Sequence, residues 1–500
     1  MAFSAGIKLS GLDDFIAPSQ ACIKPVESLP AARAARGIIH VEGSVEALVP
    51  AKITLNDCLA CSGCITSAES VLITQQSVGE LMSWLAANKE AGGSKALVVS
   101  LSPQCWASVA AHFAIPPTEA AGRIVGMLKA LGAALVVDVA LARDLSLHES
   151  CAEYVGRVHQ GGERTLLASA CPGWVCYAEK TQHSAIPHIS TVKSPQQITG
   201  SLLKRHAAKL LGRDPSEVYH LALMPCFDKK LEASRDDFTL PSNAELREVD
   251  LVLTSAEILD LLSAASLHFL SIPPSPLDPM PLVPGIPGGP LTSPDGRAWG
   301  VGGVSGSFAE EVFRHAAEGL FGRRVRVVEA GQQGGDTEME EEGGEEVVAW
   351  SQVRNSDFHE LVLQAPLGTP GSAPAGALLK VARCFGFRNI QNIVRQLRTS
   401  KGCAYSYVEV MACPAGCVNG GGQIRVAENS GESPKDRLKQ VKESFKAGQV
   451  PRRPGENPEL QTVYEQVVGA PPNSEGARVW LHTQYTARTD ELINPIAIQW

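Results

Sequence analysis

The sequence has little of what would mark export, a membrane or a nucleic-acid partner. Its N-terminus, MAFSAGIKLSGLDDF, lacks a basic segment followed by an apolar core, and Asp13 and Asp14 interrupt it early, so no secretory signal is expected. No apolar run reaches the ~18 residues that a bilayer span needs. Lys129 and Asp138 break the longest candidate. Basic charge is not in excess: 44 Lys and Arg stand against 53 Asp and Glu, a net charge of −9, which leaves no basic face for nucleic acid or a membrane surface. The 12 histidines are scattered without H-E-x-x-H spacing. The glycines at 302–303 and 420–422 form no G-x-G-x-x-G fingerprint after a strand, so no nucleotide site is expected. There is no internal repeat of fixed period.

What the chain does have is cysteine. Thirteen of them, with no sign of export, should stay reduced, which points to metal ligation or catalysis over disulfides and to a cytoplasmic or nuclear address. Five hundred residues exceed one hydrophobic core, so two or three packed units are expected. Residues 1–77 form a cysteine-bearing N-terminal region. From residue 78 the pattern alternates between helices and short apolar strands, with helices at 78–91 and 117–132 and strands at 95–102, 133–140, 165–170, 220–225 and 249–255. It resumes with helices near 306–320 and 388–399 and strands near 359–365, 378–385 and 405–412. Strands separated by helices of this length predict right-handed βαβ units and a parallel sheet, an α/β fold. Two stretches read as insertions. Residues 272–297 contain nine prolines and should be an irregular surface loop or disordered, and residues 331–346 combine glycines with an acidic run that cannot pack a core. The region 427–500 reads as a helical or irregular segment.

The cysteines fall into two sets. Cys58, Cys61 and Cys64 form a C-x2-C-x2-C run that curls three thiolates toward one metal centre. The spacing recurs in ferredoxin-like cluster sites, where a remote fourth cysteine completes the set, and Cys22 is the candidate here. A structural zinc site is the alternative, although zinc sites usually pair two C-x2-C knuckles. The second set stands directly after strands: Cys171 in ASACPGW, Cys226 in MPCFDKK, and Cys413 and Cys417 in MACPAGCVNGGG. Carboxyl ends of parallel strands lie along one edge, so these four can converge although they span 246 positions. Taken singly, each could be a buried core thiol. Cys105, Cys151, Cys176, Cys384 and Cys403 have no ligand spacing and read as packing residues.

These loops resemble the signature loops of the catalytic domain of iron-only hydrogenases. SPQCWASVAAHF (102–113), KSPQQITG (193–200), VDLVLTSAEIL (249–259) and GGVSGSFAEEVFR (302–314) resemble further stretches of that domain, in the same order. LDDFIAPSQACIKPV with the C-x2-C-x2-C run resembles a eukaryotic branch of the family, the Nar1 or nuclear prelamin A recognition factor-like proteins of cytosolic iron–sulfur protein assembly. The resemblance implies a two-lobed hydrogenase-like fold over 78–426, preceded by the N-terminal cluster region. It implies two 4Fe–4S clusters, one on Cys22, Cys58, Cys61 and Cys64, the other on Cys171, Cys226, Cys413 and Cys417. In a hydrogenase the residue matching Cys417 also bridges to a di-iron subsite, and a cysteine just before the first loop's ligand carries protons to it. Here that position is Ala170, and a relay carboxylate is replaced by Ser150, while Glu153, Ser190 and Lys229 are kept. The implied role is therefore not enzymatic: transfer of preformed clusters to apo client proteins, between an upstream scaffold complex and a targeting complex containing a WD40 propeller subunit. Ile498-Gln499-Trp500 resembles the short tail that docks on that complex, with Gln499 departing from the usual acidic or serine residue. A hydrogenase-like redox enzyme and a zinc-stabilised interaction protein are the competing expectations.

Overall fold

The computed structural model describes residues 72–161, 165–279, 292–329, 345–365, 377–427 and 430–487. The N-terminal cysteine run, Cys22, most of the acidic stretch and the terminal Ile498-Gln499-Trp500 lie outside the described residues. Two sheets organise the chain. In chain order their strands are β1 (Ala96–Leu101), β2 (Ala133–Asp138), β3 (Leu166–Leu167), β4 (Val218–Met224), β5 (Leu251–Thr254), β6 (Ser351–Gln352), β7 (Phe358–Gln364), β8 (Ala377–Phe385) and β9 (Tyr407–Met411).

The first sheet has the order β2-β1-β4-β5 and is parallel throughout. Its strands are near-continuous apolar runs such as ALVVSL, which suits a parallel sheet covered on both faces. Helices Pro103–Phe113 and Pro117–Ala130 each begin with proline in the first turn, where the missing N–H has no partner to lose. Their buried residues, including Trp106, Ile124 and Leu128, pack against Leu97, Val99 and Leu101. The second sheet has the order β6-β7-β8-β9-β3. It is parallel from β8 through β9 to β3 and antiparallel at the β6–β7–β8 edge. The amphipathic helix Phe308–Phe321 covers one face through Phe308, Val312 and Phe313.

The Pro-rich stretch is more ordered at its start than its composition suggests. Residues 272–279 lie packed along helix Pro117–Ala130: Ile272 is buried, and the Pro273 carbonyl sits where a side chain on Gly126 would be. Ser275 donates its amide to Gly122, Asp278 exchanges hydrogen bonds with Val136, and Lys129 pairs with Asp278 at 2.5 Å. Bare glycines on the helix give the prolines a groove that propensity alone does not report. The segment 430–487 is likewise docked. Helix Pro434–Ala447 stacks Phe445 on Trp106 at 6.3 Å, and strand Gln449–Pro451 pairs in parallel with Ala298–Gly300. Tyr464 donates its hydroxyl to Glu149 at 2.6 Å.

One buried histidine ties β1 to β4. His220 lies fully buried with Nδ1 3.0 Å from the Glu248 carbonyl and Nε2 2.9 Å from the Ser100 hydroxyl. The carbonyl can only accept, so Nδ1 carries the proton and Nε2 accepts from Ser100. Burial lowers the pKa of this ring to about 4. The unfolded chain, with its ordinary value near 6.5, therefore binds the proton first as pH falls. Stability contributed by neutral His220 should be complete above about pH 6.5, decline toward pH 4 and change no further below it, a span worth up to roughly 3 kcal/mol. Urea unfolding of the wild type and His220→Gln across that range should show a shallower acid loss in the variant.

Candidate metal centre

Each member of the second cysteine set stands where a parallel strand ends. Cys171 follows β3 and immediately precedes helix Pro172–Thr181. Cys226 follows β4 and leads into helix Asp228–Ala233. Cys413 follows β9, and Cys417 opens a short 3-10 turn, Cys417–Asn419. Because β9 pairs in parallel with β3, the Cys413 and Cys171 loops leave the second sheet side by side. Cys226 arrives from the first sheet. In that sheet β1 has β2 on one side and β4 on the other, so Cys226 leaves near the point where the strand order reverses.

The two sheets are joined at this place by backbone. Gly422 donates its amide to the Pro225 carbonyl at 3.0 Å, and Ala256 donates to the Gly422 carbonyl at 2.9 Å. A side chain on Gly420 would lie 2.3 Å from the Pro225 carbonyl oxygen, and one on Gly422 would lie 2.6 Å from Thr254. Only residues without a Cβ allow so close an approach. The contact seats the Cys413–Cys417 turn beside the Cys226 loop.

The charge of Cys417 consequently acts on Cys171, Cys226 and Cys413, so the four thiols lie near one another. Cys171 is buried and the other three are half-buried. Burial, the Asp228 carboxylate and Cys417 push the Cys171 thiol up to about 12. Burial raises Cys413 well above the usual thiol range, and Cys226, Cys171 and Cys417 each add to it. Cys226 is raised in the same way by burial, Asp228, Cys417 and Cys171, with Lys229 opposing. Burial raises Cys417, against the Ser305 hydroxyl and Lys229. Four thiolates could not coexist here unless a cationic centre offset their charge, and metal binding must displace the thiol protons. Among the described residues no three His, Cys, Asp or Glu side chains are gathered to hold a single metal ion. Four soft thiol donors fit a polynuclear iron–sulfur group, in which each sulfur takes a different iron. The Ala412 amide also points at Cys171 Sγ, 3.3 Å away, the kind of donor that stabilises charge on a ligating sulfur.

The other residues singled out in the sequence fall around this quartet. Ala170 directly precedes Cys171, and its carbonyl accepts a hydrogen bond from Lys229 Nζ at 3.2 Å. Lys229 also pairs with Glu232 at 2.7 Å. Ser190 donates to Glu153 at 2.5 Å, and Glu153 in turn pairs with Arg157 at 3.1 Å. Ser150 closes onto its own helix by donating to Ser146. Cys105, Cys151, Cys176 and Cys384 are buried and Cys403 half-buried, apart from the quartet's mutual set. Sequence reading missed two supports. Ser305 accepts the Cys417 amide at 2.9 Å, and Asp357 accepts the Ala415 amide at 2.8 Å. Ser305 sits in GGVSGSF, a stretch that could have drawn attention; Asp357 carries no local signal.

The joint makes a specific demand. Gly420→Ala should lower the free energy of unfolding, read from urea titration, by about 1–3 kcal/mol, and it should reduce cross-linking of Cys226 to Cys413 or Cys417 by a short bifunctional reagent in the apoprotein. Gly421→Ala, whose nearest neighbouring atom would be 3.8 Å away on Phe227, should do neither.

Known families share this arrangement. The family described as iron only hydrogenase large subunit, C-terminal domain, matches residues 95–421, and iron hydrogenase small subunit matches residues 434–488. The chain is 42% identical over 517 residues to the Xenopus tropicalis protein named cytosolic Fe-S cluster assembly factor narfl, covering 100% of this chain and 99% of that one. It is 41% identical over 503 residues to Protein NAR1 of Arabidopsis thaliana, covering 97% and 96%. Cytosolic iron-sulfur assembly component 3 of Mus musculus is 40% identical over 516 residues, covering 100% and 99%. Among solved structures, an apo FeFe-hydrogenase HydA1 from Chlamydomonas reinhardtii superposes with a TM-score of 0.62 at 24% identity, over 79% of this chain and 95% of that one. The HydA(deltaEFG) hydrogenase reaches 0.64 at 24% identity, over 83% and 99%. Likeness at that level establishes the fold. The chain therefore belongs to the iron-only hydrogenase-like family, in the branch whose members are named cytosolic iron–sulfur cluster assembly factors.

Proposed function

We propose that this protein is a non-catalytic component of the cytosolic iron–sulfur assembly machinery that holds two 4Fe–4S clusters and mediates cluster transfer to cytosolic and nuclear apoproteins. The observation that carries the reading is the convergence of Cys171, Cys226, Cys413 and Cys417 from the ends of β3, β4 and β9. The names of relatives that align over the full chain point the same way. A cluster bound there would supply an inorganic core able to accept an electron or to pass to another set of thiols. Cys22, Cys58, Cys61 and Cys64 make up the second quartet by their spacing. Their short polar surroundings suit an exchangeable site, whereas the quartet between the sheets is the structural one.

Ala170 supports the non-catalytic reading, because its methyl group has no proton to pass. Lys229 spends its ammonium on the Ala170 carbonyl and Glu232 while facing Cys226 and Cys417, so its positive charge favours a bound anionic cluster without any turnover. No helix among the described residues is long and apolar enough to cross a membrane. A cytoplasmic, partly nuclear site of action fits the role. The partners would be the upstream scaffold complex, apo client proteins and the targeting complex with its WD40 propeller subunit. Docking on that subunit would use Trp500, whose indole can fill an apolar pocket.

Anaerobic reconstitution with iron and sulfide should give about eight irons per chain, the content of two cubes. Serine at Cys171, Cys226, Cys413 or Cys417 should cut that by about half and remove one of two electron paramagnetic resonance signals. Zinc in place of iron would sink the proposal. So would infrared bands of bound carbonyl and cyanide together with hydrogen evolution. Separately, deleting Trp500 should abolish co-purification with the propeller subunit while leaving iron content unchanged; undiminished co-purification would remove the docking role.

A further inference from the structure

The Cys413–Cys417 turn holds an unfavourable backbone. Ala415 has φ of 60° and Gly416 has φ of 80°, two consecutive residues in the left-handed region. Glycine adopts that region freely, but an alanine there brings its Cβ against its own backbone. A turn of this shape would relax unless its amides were claimed from outside. Pro414 has no amide to claim. The Gly416 amide is satisfied within the turn, by the Cys413 carbonyl at 3.1 Å. The Ala415 amide donates instead to Asp357 Oδ1 at 2.8 Å, from a residue 58 positions away.

Asp357 is itself fixed on two sides. Its amide donates to Asn355 Oδ1 at 3.0 Å, and its carbonyl accepts from Phe385 at 2.9 Å, where β8 ends. Asn355 is paired with Asn389, which also donates to the Phe385 carbonyl at 2.9 Å. At the same place Gly386 donates to the Met411 carbonyl at 2.8 Å, at the end of β9. Lys442, on helix Pro434–Ala447, faces the Asp357 carboxylate. The carboxylate is therefore anchored to the sheet that carries Cys413. A charged acceptor on an amide is a stronger bond than a neutral one.

We infer that Asp357 is the positioning residue of the Cys413–Cys417 turn: by accepting the Ala415 amide it holds the left-handed alanine and keeps both thiols turned toward Cys171 and Cys226. The inference rests on the proposal that this quartet holds a cluster. It assigns no contact between Asp357 and the cluster, and it separates Asp357 from ordinary surface acids by what the carboxylate does to one strained peptide.

The reconstituted full-length protein tests it through the rate at which a ferrous chelator strips iron from the quartet. Asp357→Ala should accelerate release by about tenfold, the factor that loss of one charge-assisted hydrogen bond brings. Asp357→Asn keeps an oxygen in place and should stay within about twofold of wild type. Adding Ala415→Gly to Asp357→Ala removes the strain that the carboxylate holds and should restore most of the lost retention. Ala415→Val, with Asp357 intact, should accelerate release because a β-branched residue resists the left-handed region. Unchanged release in Asp357→Ala and Ala415→Val would overturn the assignment. So would fast release in Asp357→Ala that neither asparagine nor Ala415→Gly reverses, since that pattern belongs to a general fold contact. If Asp357→Ala does not fold, Ala415→Val and Asp357→Asn decide the question between them. Iron uptake indifferent to serine at Cys413 and Cys417 would instead sink the cluster reading. Alkylation of those two thiols in the apoprotein, faster in Asp357→Ala than in Asp357→Asn, would still support the role of Asp357 in that event, and equal rates would overturn it.

Discussion

Gly420 and Gly422 let the loop after β9 lie directly on the Pro225 carbonyl, and the rest of the site follows from that contact. Two sheets with their own cores meet there through main-chain hydrogen bonds, beside Val418 and Ile424, which the same loop buries in the core of the first sheet. A backbone joint has less slack than a packed one, because its geometry is set by fixed donors and acceptors. Once it forms, the loops after three strands come together, with four thiols drawn from positions 171 to 417. Loss of the joint would leave each cysteine in an ordinary strand-end loop.

The electrostatics of that volume are one-sided. Burial raises all four thiols, Asp228 adds to each, and Lys229 opposes at Cys226 and Cys417. Such a place is poor for anionic sulfur by itself and good for anionic sulfur bound to iron. A second set of buried polar side chains lies beyond the thiols. Glu153 keeps its bond to Ser190, but it also pairs with Arg157 and accepts from Thr191. Thr191 reaches His482 at 2.7 Å, and His482 reaches Glu149 at 2.8 Å, where Tyr464 also ends. Residues that resemble a proton path are thus tied into a buried network that fastens the segment 430–487 to helix Ala140–His159. Function is read from the site and not from the fold that carries it.

Much of this was legible in the amino-acid string. Alternating apolar runs and helical patterns located the strands of both sheets except the short edge strand Ser351–Gln352, because a buried parallel strand must be apolar along its length whereas an exposed two-residue edge need not be. Cysteines placed directly after those strands, among prolines and glycines, singled out Cys171, Cys226, Cys413 and Cys417 as a candidate set. The alanine that precedes Cys171 and the full-length likeness to assembly factors are likewise properties of sequence. Composition read the start of the Pro-rich stretch as an irregular surface loop, and it could not report that Gly122 and Gly126 of a distant helix open a groove for it.

Only the tertiary structure decided which sheet edge each cysteine reaches and what holds it there. The antiparallel edge of the second sheet, the docking of 430–487 and the Asp357 and Ser305 acceptors depend on partners tens to hundreds of residues away. Local sequence encodes the periodicity of an element, because that is set by its own backbone repeat. It does not encode which distant carboxylate will meet a given amide, because that depends on how the completed sheets settle against each other.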